Sequence, residues 1–96
     1  MQTRESIIRR LRAVKTDVQA RYPVHRMALF GSWARGEQHQ GSDIDILVEV
    51  DGSIGLRFIN LAEDLEACLG NKVDLVSRRA ITPAMWQYIE QDLIDV

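Results

Sequence analysis

Gly31-Ser32-Trp33-Ala34-Arg35-Gly36, followed across a polar loop by Gly41-Ser42-Asp43-Ile44-Asp45, is the stretch that decides how this chain folds. Met27-Ala28-Leu29-Phe30 precedes it, an apolar run too short for a helix and suited to a buried strand. Ser32 to Gly36 can form about one helical turn with Ser32 as its N-cap. A strand that stops at Gly31 and enters such a turn presents unpaired backbone N–H groups. The helix dipole adds positive partial charge there, and a glycine lets a phosphate come close. With the Ser32 hydroxyl as a further donor, this is a seat for phosphate. A Gly-Ser pair alone carries little weight, because turns are rich in both residues.

The acids supply the weight. Asp43 to Val50 alternates and is β-branched, which reads as a strand. Positions i and i+2 of a strand share a face, so Asp43 and Asp45 stand side by side. Two carboxylates there repel each other and resist burial. A divalent cation relieves that repulsion, and oxygen ligands of this kind select magnesium. Capping of an exposed strand start would also account for the pair. Asp74, in the apolar run Val73-Asp74-Leu75-Val76, counts against that account, since an acid packs poorly there without a partner. Three carboxylates on neighbouring strands beside a phosphate seat describe a two-metal site for phosphoryl transfer.

Working outward, Ile7, Ile8, Leu11, Val14 and Val18 recur at helical spacing, with Thr3 as a start and Tyr22-Pro23 as a stop. Phe58, Leu61, Ala62, Leu65 and Leu69 predict a second amphipathic helix closed by Gly70-Asn71. Lys72 to Ser77 predicts a strand. Thr82-Pro83 opens a last helix whose core side is Met85, Trp86, Ile89 and Leu93. The predicted order is α-β-(short α)-β-α-β-α, an α/β arrangement of helices on a small sheet.

Ninety-six residues, 46% hydrophobic and 27% charged, make one ordinary globular domain, 1–96. The net charge of −2 argues against stable nucleic-acid binding by bulk electrostatics. Residues 1–26 nevertheless hold seven Arg/Lys against two acids, and residues 37–66 eight acids against one Arg. The basic stretch reads as a solvated helix face. Cys68 is the single cysteine, which rules out an internal disulfide and a thiolate zinc site. No apolar run approaches a membrane span, and the N-terminus lacks a signal-peptide core, so the expected location is cytoplasmic. His25 and His39 read as surface histidines, Trp33 as a packing residue, and Glu63, Asp64 and Glu66 as an exposed acidic face.

Gly31-Ser32, ten intervening residues, Asp43-x-Asp45 and a third acid on a later strand resemble the polymerase-β-like nucleotidyltransferase superfamily. Gly31-Ser-x-Ala-Arg-Gly36, Ser42-Asp-x-Asp45 and the spacing to Lys72-Val-Asp-Leu-Val are similar to its minimal branch, the MntA-like antitoxins encoded beside HEPN-domain toxins. The likeness covers about residues 23–94. Ile46 replaces the family's usual leucine, a harmless exchange. The resemblance implies that Gly31 and Ser32 bind the triphosphate of ATP, and that Asp43 and Asp45 hold two Mg²⁺ ions. It implies that Asp74 binds the catalytic ion and helps deprotonate the attacking hydroxyl. Arg35 either stabilises the phosphates or ties the motif loop to an acid of the fold, and Ser42 caps the strand or orients Asp43.

The function so implied is AMPylation of a hydroxyl, a tyrosine above all, on a HEPN toxin. Homo- and hetero-oligomers both stay open. So do two rival readings: an antitoxin that only masks its toxin, and a transferase acting on a small molecule or an RNA end.

Overall fold

Thr3 starts the first helix through a capping box: its hydroxyl accepts from the Ser6 N–H at 3.1 Å, and the Ser6 hydroxyl accepts from the Thr3 N–H at 3.0 Å. The computed structural model describes residues 2–96. Helix α1 (Arg4–Arg21) buries Ile7, Leu11 and Val18 and ends where Tyr22 precedes Pro23. Its basic side is not simply solvated as the charge pattern suggests. Arg10 donates to the Leu69 carbonyl, Arg12 to the Asp95 carbonyl, and Lys15 to the Val96 carbonyl at 2.8 Å. Those carbonyls belong to elements distant in sequence, so nothing local reveals the contacts.

Strand β1 (Val24–Phe30) leads into α2 (Gly31–Arg35), and β2 (Ile44–Val50) follows the polar loop. Helix α3 (Arg57–Leu69), strand β3 (Val73–Ser77), helix α4 (Pro83–Glu90) and strand β4 (Ile94–Asp95) complete the order, with 3-10 turns at Gly52–Ile54 and Arg78–Ala80. Gly70, at φ 67°, closes α3 in the left-handed conformation open to glycine. Thr82 caps α4 through the Met85 N–H, with proline in the first turn.

The four strands form one mixed sheet in the order β3-β2-β1-β4. Strand β1 is antiparallel to β2 and β4, while β2 and β3 are parallel and joined through α3. Alternation along β2 divides the core. Ile44, Ile46 and Val48 pack with Met27, Leu29 and the apolar stripes of α1 and α3. Leu47 and Ala28 pack on the other face with Ile81, Trp86, Ile89 and Leu93. The predicted α/β architecture holds, with helices on both faces of the sheet. Among the described residues no helix is long and apolar enough to cross a membrane.

Three local expectations change. Strand β1 starts at Val24, because Arg26 finds cross-strand partners in Glu49 at 3.1 Å and Asp95 at 2.7 Å that make a polar residue welcome there. The last helix stops at Glu90, and residues 94–95 pair with β1 instead. Met85 points to solvent rather than into the core.

Candidate active site

Gly31 has φ +74°, a conformation that glycine adopts without steric penalty, and the chain turns there directly from β1 into α2. This moves the N-cap two residues ahead of expectation. Phe30 is the N-cap and makes no side-chain cap bond, so Ser32 lies inside the first turn and is not the cap. The first-turn N–H groups therefore remain available to a ligand. Gly36, at φ 72°, ends α2 by donating to the Ser32 and Trp33 carbonyls.

The acids meet this helix start. Phe30 pairs with Asp45 across β1–β2, and a Cβ at Gly31 would overlap the Asp45 carboxylate oxygen Oδ2. Asp45 is in turn the register partner of Asp74 across the parallel β2–β3 pair. Asp43 stands two residues ahead of Asp45, exposed at the mouth of β2. Burial, the Asp74 and Asp43 charges and a hydrogen bond shared with Asp74 push the Asp45 carboxyl up to about 6, while Arg35 acts in the opposite direction.

Asp74 needs a different argument from the one its sequence invites. Strand β3 lies at the sheet edge and Asp74 is exposed, so no packing penalty attaches to it. Its partner is Asp45, and parallel register brings the two together.

Among the described residues no three His, Cys, Asp or Glu side chains close into a ready-made metal nest. Magnesium, however, is usually held by one or two carboxylates together with substrate phosphates and water. Asp45 and Asp74, whose joint ionisation is held back by repulsion, fit that kind of site. Asp43 adds a third oxygen donor at its open side. A cleft of about 490 Å³ lies nearby, lined by Trp33, Gln38, Gly41 and Asn71 but by none of the acids. Asp43 and Asp74 stand at an open surface, with Asp45 half-buried between them and the start of α2.

The remaining motif residues brace the loop. Arg35 donates to Asp92 at 2.7 Å and to Glu37 at 3.3 Å, which matches the loop-tying alternative. The Ser42 hydroxyl accepts from the His39 N–H at 3.0 Å, closing the loop before Asp43. Trp33 is buried, with Nε1 donating to the Ser42 carbonyl at 3.3 Å, and Asn71 donates to the same oxygen at 3.4 Å. His25 and His39 are exposed, as expected. Asp64 and Glu66 are not an idle acidic face: Asp64 accepts from the Tyr22 hydroxyl at 2.5 Å, and Glu66 accepts from the Val73 N–H at 3.0 Å. Sequence reasoning passed over Asn71 and Asp92. Neither stands in the motif, and each reaches it only through the fold.

An uncapped helix start beside paired aspartates on adjacent strands is the arrangement expected of proteins that handle phosphoryl groups. Comparison with known proteins narrows the class. The family model described as "Nucleotidyltransferase domain" matches residues 11–95. A Methanocaldococcus jannaschii protein named as a protein adenylyltransferase is 45% identical, with 100% of each chain covered. The protein adenylyltransferase MntA of Thermococcus cleftensis is 37% identical over 100% of this chain and 98% of its own. A solved structure described as a minimal nucleotidyltransferase superposes with TM-score 0.85 at 33% identity, covering 99% of this chain and 97% of the other. Another, described as a toxin–antitoxin with AMP-PNP, has TM-score 0.69 at 29% identity, covering 98% and 72%. The chain belongs to the nucleotidyltransferase family, in its minimal branch of protein adenylyltransferases.

Proposed function

We propose that the protein transfers AMP from ATP onto a tyrosine hydroxyl of a HEPN-domain toxin in the cytoplasm and so acts as its antitoxin. The observation that carries this reading is the close approach of Gly31 to Asp45, which sets the start of α2 against the acids. Relatives named as protein adenylyltransferases, and a similar toxin–antitoxin solved with AMP-PNP, support it.

In this reading the α2 N–H groups and the Ser32 hydroxyl bind the triphosphate, and Arg35, while tying the motif loop to Asp92 and Glu37, offers its remaining N–H donors to that charge. Two Mg²⁺ ions, held by Asp43, Asp45 and Asp74, would neutralise the phosphates and make the hydroxyl more acidic. Asp74 takes the proton from the tyrosine oxygen. That oxygen forms its bond to the α-phosphorus as the bond to the bridging oxygen breaks, and pyrophosphate leaves. Ser42 braces the loop that delivers Asp43.

Exposure of Asp43 and Asp74 favours a macromolecular acceptor, which brings its own contact surface to an open site. Intact mass spectrometry of a HEPN-domain partner, incubated with the protein, ATP and Mg²⁺, is the test. The expected result is a gain of whole adenylate units that fragmentation maps to tyrosine. An unmodified partner, with labelled AMP appearing on RNA or a small molecule instead, would refute the reading.

A further inference from the structure

Asp92 follows α4 in a segment anchored on both sides. Ile89 and Leu93 flank it and pack with Ala28 and Leu47, the Asp92 N–H donates to the Ile89 carbonyl at 3.1 Å, and Ile94 pairs with Leu29 in the sheet. Its carboxylate is thereby held still, with a side chain only 20% exposed. It accepts from Arg35 Nη1 at 2.7 Å, while Glu37 accepts from Arg35 Nε at 3.3 Å. Arg35 is the last residue of α2, the same short helix whose N-terminus meets Asp45.

A guanidinium has five N–H donors in a rigid fork. Two engage Asp92 and Glu37, which leaves the others for an anion. Arg35 ends the same five-residue helix whose first residue meets Asp45, so its backbone lies about one turn from the acids. An exposed ion pair contributes little to stability. Its effect lies elsewhere: a long side chain already held in place loses less rotamer freedom when it meets a phosphate.

We infer that Asp92 is a positioning residue for nucleotide binding, holding the Arg35 guanidinium at the end of α2 with donors free for the triphosphate. The inference rests on the nucleotidyl-transfer reading above. Asp92 does not touch the nucleotide. It acts through Arg35, and from the far end of the chain.

The test is a double-mutant cycle on Asp92 and Arg35, read by calorimetric Kd for AMP-PNP with Mg²⁺ and by KM and kcat for ATP. Asp92→Asn should weaken Kd and raise KM about five- to tenfold, the scale of one coupled pair, with kcat nearly unchanged. The melting temperature should hold, and Asp92→Glu should restore most of the loss. In an Arg35→Ala background Asp92→Asn should add nothing.

An Asp92→Asn protein that keeps wild-type Kd and KM would overturn the inference. So would a loss that persists in full without Arg35, since Asp92 would then act through the fold. A wild-type protein that binds no AMP-PNP at all overturns the nucleotidyl-transfer reading and this inference with it. Normal wild-type binding with an indifferent Asp92 overturns the inference alone.

Discussion

Replacing Asp45 by asparagine should stabilise the metal-free protein at neutral pH while abolishing transfer. Asp45 is lifted from 3.8 to about 6 by burial and by the Asp74 and Asp43 charges. At 1.36 kcal/mol per unit, ionising it in the folded state costs about 3 kcal/mol before screening. The site is open to solvent on one side, so roughly half of that, about 1.5 kcal/mol, is a realistic figure. A raised carboxyl pKa means that the folded protein holds this proton more tightly than the unfolded chain does. The group therefore favours folding below the unfolded value near 4. That contribution is lost as pH rises through about 6, and at pH 7.5 the full penalty applies.

Asparagine keeps the shape and carries no titrating proton. The advantage of Asp45→Asn should be near zero at pH 4 and reach its full size by pH 7.5, worth about 6–12 °C in melting temperature for a domain of this length. Urea or thermal unfolding in EDTA at both pH values measures it. Adding Mg²⁺ with ATP should then raise the wild-type melting temperature more than that of the variant. A variant no more stable than wild type at pH 7.5 would refute the reasoning. A stability difference that does not change with pH would do the same.

Asp43→Ala should lower transfer by at least about a hundredfold through loss of a metal-ligating oxygen, with little change in melting temperature because the residue is exposed; retained turnover would remove Asp43 from the site. Gly31→Ala should destabilise the fold by at least about 2 kcal/mol and eliminate AMP-PNP binding, since φ is +74° and the new Cβ would overlap the Asp45 carboxylate. Denaturant titration and calorimetry read both effects, and wild-type affinity would place the phosphates elsewhere. Ser32→Ala should weaken ATP only about fivefold, the value of one hydroxyl donor of ~1 kcal/mol, because the backbone N–H groups stay in place; complete loss of binding in a folded variant would contradict that division of labour.

Much of the site is legible along the chain because its signals are local. Gly31-Ser32 and Asp43-x-Asp45 lie within fifteen residues, and strand alternation puts the two aspartates on one face whatever the rest of the molecule does. Thr3, Gly70 and Thr82-Pro83 mark helix ends for the same reason, since caps are made with neighbours in sequence. Asp74 stands out in the sequence as an acid in an apolar run, yet β3 is an edge strand and the residue is exposed, so burial is not what sets it apart. What brings it beside Asp45 is parallel register with β2, set by packing of α3 across the sheet.

By itself, then, the sequence determined the main helices, the central strand, the glycine turn into α2 and the placing of the aspartate pair, all governed by backbone sterics, capping and periodicity over a few residues. Only the tertiary structure decided which acid opposes which, that residues 94–95 leave the last helix to pair with β1, and that Arg35 turns toward Asp92 across fifty-seven positions. Met85 facing solvent and Tyr22 meeting Asp64 belong with these. Contacts of this kind depend on where a sheet edge and a helix face come to rest, which is the outcome of burying the whole apolar surface at once and is written in no single stretch of residues.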